Sequence, residues 1–584
     1  MPSNFHQISY EIEVTRQTQK LGHYELLETT TVKSTESHLV PWPHSDELSS
    51  RSKYSVRVRA TGTGSASDGT VSTDWSAPVS IEAGLLRRDD WACKLIAAPF
   101  DESKKDVPKA EDLFHKDFDT QMKDVASARL YITSQGVYEA EINGHKVGDY
   151  FLAPGWTVYS GRLQYQTYNV TKLIADKGKN CVGIRVAEGW FSGRIGFEGG
   201  RRNIWADRNA AWAQLEIRYH DGTCQTVITD ESWSVAKGPI VLAEIYDGEK
   251  YDARLEIDGW SKPGLDLTLG QWVPVDVRPP IPPTVGLTAG FAEPVRKVET
   301  LHPKEIITTP SGKMILDFGQ NLVGFVRIKH VKGPRGHKIT LRHAEVLENG
   351  ELGTRPLRIC KAEDVYTLKG VGDESYEPRF SFHGFRYLQV EDWPSPSDAK
   401  LLETTEAVVC HTDMEPAGSF ACSEEALNQL YSNATWSMRG NFLSIPTDCP
   451  QRDERLGWTG DLALFAPTAT FLYKCSGILK GWLLDLEIDQ KQLGGVPPMV
   501  CPDVLRGDPV EGTLWGKIWP AAIWHDVTIL APWALWEATK DRNILEQQYN
   551  SMTTWLSKIP RNKTGASHLW DFNAFQLGVC LTAT

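Results

Sequence analysis

Residues 446–461, PTDCPQRDERLGWTGD, bring together side chains that could deliver a proton to a sugar. They include four carboxylates, two arginines, one tryptophan and two glycines. Carboxylates held close together raise one another's pKa, while Arg452 and Arg455 can keep some of them ionised, so that one acid stays protonated near neutral pH. Such an acid can protonate a glycosidic oxygen, and Trp458 could pack against the sugar. The alternative is a structural loop in which each acid pairs with an arginine.

The loop is predicted to connect two α-helices. Pro450, Gly457 and Gly460 interrupt any helical run, and loops on a rigid scaffold commonly present catalytic groups. Apolar residues at a spacing of three to four predict a helix before the loop, with Ser423 as its N-cap. Asp461 is expected to cap the helix that follows. Further helices are predicted at about 461–474, 476–491, 524–540 and 543–558.

The first 400 residues show the alternation of β-strands in three segments. Residues 1–85 resemble a small fibronectin type III β-sandwich, and because alternation starts within about eight residues of Met1, a clipped N-terminus is predicted. Residues 101–285 predict a larger sandwich or jelly roll, with hairpin turns at 143–144 and 221–222. A third β segment, about 286–400, follows the linker VRPPIPPT.

Two sets of polar residues in these β segments could have either a ligand-binding or a structural role. The acidic stretch EIYDGEKYDARLE offers Asp247, Glu249 and Asp252, which could line a sugar or calcium site, since calcium prefers oxygen ligands. Solvated loops are the alternative interpretation. His383 and Arg386 could also reach a ligand, although a histidine flanked by phenylalanines is interpreted as a hydrogen-bonded core residue.

Composition excludes several classes of partner. The chain has 584 residues and a net charge of −13 without a cluster of basic residues, which argues against nucleic acid as a ligand. No apolar run reaches the ~20 residues that a membrane helix needs, and the N-terminus lacks the features of a signal peptide, so a cytoplasmic protein without membrane contact is predicted. Secretion stays open as the alternative if the N-terminus is clipped. Ten cysteines without paired spacing predict reduced thiols. The 21 tryptophans would suit sugar stacking or large cores.

The motif DCPQRDERLGWTGD resembles the signature loop of the α-L-rhamnosidases of glycoside hydrolase family 78. Earlier stretches resemble the family's β domains: APGWTVYSGRLQYQTYNV and YDGEKYDAR its N-terminal sandwich, and DFGQNLVG, LRHAEVL and FHGFRY its second β domain. The resemblance implies N-terminal β-sandwich domains followed by an (α/α)6 toroid of six helix pairs. The implied domains are 1–85 (fibronectin type III-like), 101–285 (jelly-roll sandwich), 286–400 (concanavalin-like) and 411–584 (part of the toroid).

The resemblance also implies roles for individual residues. Glu454 matches the general acid that protonates the leaving oxygen. Residues implied to hold the rhamnose are Asp448, Arg452, Trp458, Asp461 and Trp524. Family members invert the anomeric centre, which requires a second carboxylate about 6.5–9.5 Å from the acid to activate water. Rhamnose-containing glycosides or oligosaccharides are the implied substrates, and no cofactor is required, although calcium in the N-terminal sandwich is an option.

The second carboxylate is the difficulty for this assignment. In the family it lies a couple of hundred residues beyond the acid, whereas 130 residues follow Glu454, and the helical pattern predicts about five helices where twelve are expected. The tail also departs from the family pattern after Gly578. An incomplete toroid and an inactive chain are therefore predicted. A non-catalytic carbohydrate-binding protein is the alternative, and turnover of an aryl rhamnoside would separate the two. Carboxylates to test within the chain are Asp503, Asp508, Glu511 and Asp526.

Overall fold

A computed structural model describes residues 5–18, 22–43, 47–63, 69–100, 107–268, 271–394, 398–506, 519–562 and 570–571. The first segment forms an antiparallel sheet in the order β2-β1-β3-β4, with β5 also paired to β3. Alternate residues of β1, Tyr10, Ile12 and Val14, are buried with Tyr54 in a small apolar core. The strands are β1 (His6–Gln17), β2 (Tyr24–Val32), β3 (Lys53–Thr63), β4 (Thr70–Ser72) and β5 (Val79–Glu82).

The second segment is a β-sandwich of two sheets, as the sequence predicts. One sheet has the order β10-β9-β12-β7-β15-β18, and the other has the order β19-β6-β13-β8-β11-β20 with β14 on β13. Asn143 and Gly144 have φ values of 54° and 81°, the two positive values that a type I′ hairpin turn requires.

The elements of this segment follow the chain from residue 88 to residue 277. The strands are β6 (Ile96–Ala97), β7 (Asp112–Asp119), β8 (Val125–Gln135), β9 (Val137–Ile142), β10 (His145–Lys146), β11 (Arg162–Asn169), β12 (Lys179–Ala187), β13 (Ala210–Tyr219), β14 (Cys224–Ile228), β15 (Ser234–Lys237), β16 (Ile240–Glu244), β17 (Gly248–Asp252), β18 (Val273–Pro274) and β19 (Asp276–Val277). Helix α1 is Gly189–Ser192, and 3-10 turns occupy Arg88–Asp90, Thr171–Leu173 and Ala253–Leu255.

The third segment is built on a large sheet in the order β16-β17-β27-β24-β29-β23-β30-β21, with β22 and β28 also on β23. Its strands are β20 (Gly286–Ala289), β21 (Val295–Leu301), β22 (Glu305–Thr308), β23 (Met314–Val331), β24 (Lys338–Ala344), β25 (Leu347–Glu348), β26 (Glu351–Leu352), β27 (Glu363–Thr367), β28 (Glu374–Tyr376), β29 (His383–Glu391) and β30 (Thr405–Thr412). A 3-10 turn covers Arg355–Leu357, and α2 covers Asp398–Thr404.

The second and third segments exchange strands: each contributes a strand to a sheet of the other. β17 pairs in parallel with β27, so that Lys250 lies opposite Val365. β20 pairs in parallel with β11, so that Gly286 lies opposite Arg162. The predicted boundary at residue 285 therefore separates stretches of sequence, but the sheets themselves are shared.

The final segment consists of helices and one small hairpin. The elements are α3 (Glu425–Asn441), β31 (Phe442–Leu443), β32 (Ile445–Pro446), α4 (Thr459–Leu472), α5 (Ser476–Gln492), α6 (Val527–Thr539) and α7 (Arg542–Lys558). The helices lie where the periodicity predicts them. Two predicted caps are wrong: Glu424, not Ser423, caps α3 by accepting the amide of Ala426, and Asp461 lies inside the first turn of α4, whose N-cap is Trp458.

One apolar core joins the β segments to the helices. Trp156 of the sandwich, Phe325 of the large sheet and Trp482 of α5 belong to the same buried cluster. Some large apolar side chains on the helices are exposed, among them Phe471 at 70% and Trp533 at 47%. Among the described residues, no helix is long and apolar enough to cross a membrane.

Candidate active site

The loop between β32 and α4 is held by the buried guanidinium of Arg455. This group donates to the carbonyl oxygens of Ile245 at 2.7 Å and Phe382 at 2.9 Å, which lie in the β segments. It also donates to the carbonyls of Gln451 at 3.2 Å and Arg452 at 3.1 Å within the loop itself. Arg455 is 2% exposed and has a φ of 47°. One side chain therefore fixes the loop to both β segments through backbone groups that would otherwise lack donors.

Two further contacts fix the loop. The carboxylate of Asp453 is buried and accepts the amides of Gly199 at 3.1 Å and Ile359 at 3.4 Å. The Tyr246 hydroxyl donates to the carbonyl oxygen of Glu454 at 2.6 Å. Asp453 is thus satisfied by backbone amides, so the alternative in which each acid pairs with an arginine does not describe this carboxylate.

Glu454, the predicted general acid, is 6% exposed and has three side-chain partners. Its Oε2 contacts the guanidinium of Arg452 at 2.9 Å and that of Arg358 at 3.0 Å. Its Oε1 accepts the indole N–H of Trp458 at 3.0 Å. Arg452 and Trp458 therefore lie next to Glu454.

Arg358 is a residue of this site that the sequence did not single out. It follows the 3-10 turn Arg355–Leu357, about one hundred residues before the loop, and it also donates to the Asp453 carbonyl at 3.2 Å. Its side chain is 43% exposed. No local sequence pattern distinguishes Arg358, and only the folded chain brings it to Glu454.

Asp448 lies beside this cluster in an unfavourable environment for a charge. Its Oδ1 accepts the amide of Leu456 at 2.9 Å. Its Oδ2 is buried without a hydrogen-bond partner among the described residues, and Arg452 Nη2 lies 3.5 Å away. Burial, followed by the nearby charge of Glu454, raises the pKa of Asp448 to about 7. This carboxyl can therefore hold a proton at a pH where exposed aspartates are ionised.

Replacing Asp448 with Asn should change how stability depends on pH. Because the pKa of Asp448 is about 7 in the folded protein against an ordinary 3.8, its stabilising contribution is complete below pH 4 and is lost as the pH rises through 7. Asn does not titrate. The free energy of unfolding of Asp448→Asn, relative to that of the unsubstituted chain, should therefore be about 1–3 kcal/mol higher at pH 8 than at pH 5, since one pKa unit corresponds to ~1.4 kcal/mol. The variant is thus relatively more stable at the higher pH.

Urea unfolding at the two pH values measures this difference. Asp258→Asn is the matched control, because the Asp258 side chain is 88% exposed and lies outside the cluster. The control should shift stability equally at both pH values. The same behaviour in Asp448→Asn would show that Asp448 does not hold a proton in the folded protein.

A cavity of about 410 Å³ opens beside Asp448. Four predicted sugar-binding residues line it, namely Asp448, Trp458, Asp461 and Trp524. Arg452 and Glu454 are not in this lining, and they reach it through their contacts with Asp448 and Trp458. Lining residues that the sequence did not identify are Ser437, Met438, Asn441, Phe442, Pro446, Thr447, Gly460, Leu462, Leu464 and Phe465. The α3 residues among them were predicted as part of an amphipathic helix without a role in a site.

Trp524 forms one wall of the cavity against the first turn of α4. A Cβ atom at position 460 would lie 2.6 Å from Trp524 Cε2, so the indole fits because residue 460 is glycine. The indole Nε1 is buried without a partner among the described residues. Asp461, on the same turn, is exposed, and its pKa is raised because the surrounding protein partly desolvates it and Glu454 lies near.

Two of the four carboxylates named as bases to test, Asp503 and Asp526, are not among the residues that line this cavity. Asp526 accepts the indole N–H of Trp555 at 2.9 Å and the amide of Ile523 at 2.8 Å. Asp503 accepts the guanidinium of Arg506 at 3.2 Å. Both groups are engaged in local structure. Asp508 and Glu511 lie outside the described residues.

The acidic residues considered for calcium have other partners. Asp247 pairs with Arg194 and Lys361. Glu249 is fully buried, accepts two backbone amides, and has a pKa raised to about 8 by burial. Asp252 caps the turn Ala253–Leu255. A calcium ion prefers several converging ionised oxygens, so these three residues do not fit one, and calcium in the sandwich stays a prediction.

Models of four protein domains match the chain. They are described as the Rha78A-like N-terminal immunoglobulin domain (residues 1–87), the α-L-rhamnosidase N-terminal domain (123–299), the bacterial α-L-rhamnosidase concanavalin-like domain (307–411) and the bacterial α-L-rhamnosidase six-hairpin glycosidase domain (415–581). Their order is the order of the segments described above, and the fourth contains the loop and the cavity.

Solved structures extend this similarity. The chain is 30% identical to an α-L-rhamnosidase from Streptomyces avermitilis solved with L-rhamnose, with a TM-score of 0.82 over 95% of this chain and 67% of that one. It belongs to the α-L-rhamnosidase family. An α-L-rhamnosidase structure from Aspergillus terreus is 43% identical, with a TM-score of 0.89 over 98% of this chain and 63% of that one. These similarities place the α-L-rhamnosidase fold over nearly the whole described chain.

Curated α-L-rhamnosidases are longer than this chain. One from Streptomyces avermitilis is 41% identical over 79% of the chain and 43% of its own length. One from Formosa agariphila is 37% identical over 86% of the chain and 53% of its own length. The chain thus spans about half the length of the curated relatives that it matches.

Proposed function

We propose that this α-L-rhamnosidase family member takes part in the hydrolysis of terminal L-rhamnose from glycosides or oligosaccharides. The observation that carries the proposal is the contact between buried Glu454 and Trp458, whose indole lines a cavity together with Asp448, Asp461 and Trp524. An acid next to a cavity with aromatic and carboxylate walls suits a sugar, since indoles pack on apolar sugar faces and carboxylates accept hydroxyls. The rhamnose complex of the Streptomyces avermitilis protein supports rhamnose as the ligand.

In the proposed reaction, Glu454 protonates the leaving oxygen and water attacks the opposite face of the sugar with inversion. Arg452 and Arg358 fix the carboxyl group of Glu454, and the Trp458 N–H orients its second oxygen. This chemistry uses carboxyl groups and water, so we propose that no cofactor is required.

The base that activates the water is expected in the part of the relatives' length that residues 1–584 do not match. The two carboxylates that line the cavity, Asp448 and Asp461, are assigned to the sugar. Exposed apolar side chains on α4 and α6, such as Phe471 and Trp533, also indicate helix faces that further helices would cover, as neighbouring hairpins do in repeat-like helical folds. We therefore propose that residues 1–584 alone do not turn over substrate.

Hydrolysis of an aryl α-L-rhamnoside tests this proposal. The 584-residue chain and a version extended to the length of its relatives would be purified in parallel, and released phenol would be measured at equal protein concentrations. We expect turnover by the long version and none by the short one. Equal rates would show that the base lies within residues 1–584, and rhamnose binding without turnover by the long version would favour a carbohydrate-binding protein.

Replacing Asp448, Arg452 or Asp461 with Ala should weaken rhamnose binding. Hydrogen bonds to charged groups are worth roughly 1.5–3 kcal/mol, so each variant should lose about ten-fold or more in affinity. Calorimetry on the long version measures the change. Asp258→Ala, remote from the cavity, is the control and should bind rhamnose normally. Unchanged affinity in all three variants would show that these residues do not bind the sugar and only stabilise the loop.

A further inference from the structure

A second large cleft lies between the first sheet and the sandwich. Its volume is about 920 Å³, within the 300–1,000 Å³ that small-ligand clefts commonly have. None of its lining residues also lines the cavity at Asp448. One wall is formed by residues of the first segment, Gln17, Arg51, Lys53 and Glu82. Strands supply most of both walls, so the cleft is a fixed part of the fold.

The second wall is the outer face of the seven-stranded sheet. In β8, Ser127, Arg129 and Tyr131 recur at every second residue and so point to one face. Strand register places Glu216 of β13 opposite Arg129, and Arg218 opposite Ser127. Rows of directly opposed residues therefore cross the strands and present polar and charged groups to the cleft.

The charges in this cleft do not balance. Both lining acids are neutralised by arginines: Glu216 by Arg51 at 2.8 Å and Glu82 by Arg129 at 2.6 Å. Three more cations, Lys53, Lys172 and Arg218, line the cleft and have no anionic partner among the described residues. A surplus of three positive charges in one cleft contrasts with the net charge of −13 for the chain.

We propose that this cleft binds an acidic oligosaccharide, with its carboxylates on Lys53, Lys172 and Arg218. Cations attract and hydrogen-bond carboxylates, and an arginine can do so with two parallel contacts. Neutral hydrogen-bonding side chains in the same lining, including Gln17, Ser127 and Thr226, suit sugar hydroxyls. The site would hold a charged part of a glycan and is independent of the hydrolysis proposed above.

Calorimetry with the 584-residue chain tests this proposal, because it needs no turnover. The probes are trigalacturonate, the neutral trisaccharide maltotriose, and inorganic phosphate. We expect trigalacturonate to bind at least ten-fold more tightly than either other probe, and to weaken as sodium chloride is raised from low to high concentration, since exposed charges are screened by salt.

The combined variant Lys53→Ala, Lys172→Ala, Arg218→Ala should lose at least ten-fold in affinity for trigalacturonate. The control removes three exposed lysines that do not line the cleft, Lys33, Lys313 and Lys332, and should bind as the unsubstituted chain does. Matching thermal transitions would show that both variants are folded. Absence of binding, equal binding of maltotriose, equal binding of phosphate, or equal losses in the two variants would each overturn the proposal.

Discussion

Glu454→Gln, in the version of the protein extended to the length of its relatives, is expected to lose about 10²–10⁴-fold in the hydrolysis of rhamnosides with poor leaving groups. The amide keeps the size of the side chain and can still accept the Trp458 N–H, which donates to Glu454 at 3.0 Å. It cannot deliver a proton to the leaving oxygen. Rhamnose affinity should therefore stay within a few-fold.

The identity of the leaving group makes this test sharper. A nitrophenolate leaves without protonation, so 4-nitrophenyl rhamnoside should be hydrolysed with a smaller loss than a rhamnosyl disaccharide. Glu348→Gln is the matched control, because Glu348 pairs with Arg355 at the protein surface, away from the cavity. Equal losses of hydrolysis rate with both substrates, or unimpaired hydrolysis of the disaccharide, would show that Glu454 is not the general acid.

Arg455→Met is expected to abolish rhamnose binding by releasing the loop that carries the site. The substitution leaves the carbonyls of Ile245 and Phe382 without the guanidinium that now donates to them. Each buried group left unpaired costs about 1–3 kcal/mol, so the loop should lose its fixed position and affinity should fall by at least 10²-fold. Calorimetry with rhamnose and proteolysis at the loop measure the two effects.

Arg455→Lys separates geometry from charge. Lysine keeps the positive charge but lacks the planar fork that reaches several carbonyls, so it should behave nearly as the Met variant does. Arg355→Met removes an arginine whose side chain is 82% exposed and should leave rhamnose binding intact. Normal affinity in Arg455→Met would mean that the remaining contacts, those of Asp453 and Tyr246, hold the loop without the guanidinium.

Local patterns in the sequence predict much of this architecture. The turn at Asn143 and Gly144 forms because these residues tolerate positive φ, and β1 buries every second residue as its alternation requires. Within the part of the chain that the structure describes, the five long helices lie close to the predicted ranges. The cap positions are less certain from sequence, because Ser423 and Glu424 are both plausible caps and only the side-chain geometry selects Glu424.

Contacts in the site between residues far apart in the chain could not be predicted from local sequence patterns. The motif identifies Glu454, but Arg358 and Tyr246 reach it from positions roughly one and two hundred residues earlier in the chain. No local period records such a contact, because it depends on how the sheets and helices pack. Likewise Arg455, which the sequence suggests as a partner for a carboxylate, donates to backbone carbonyls instead.

The exchange of strands between the second and third segments determines how the protein can be divided. A fragment of residues 101–285 would keep β17 but lose β27, its parallel neighbour, and would also lose β20 from the edge of the seven-stranded sheet. Exposed strand edges of this kind pair with other molecules. Limited proteolysis should therefore release the sandwich and the large sheet as one resistant core. A fragment that ends at residue 285 is therefore expected to aggregate, and this aggregation would obscure any measurement of calcium or sugar binding by the isolated sandwich.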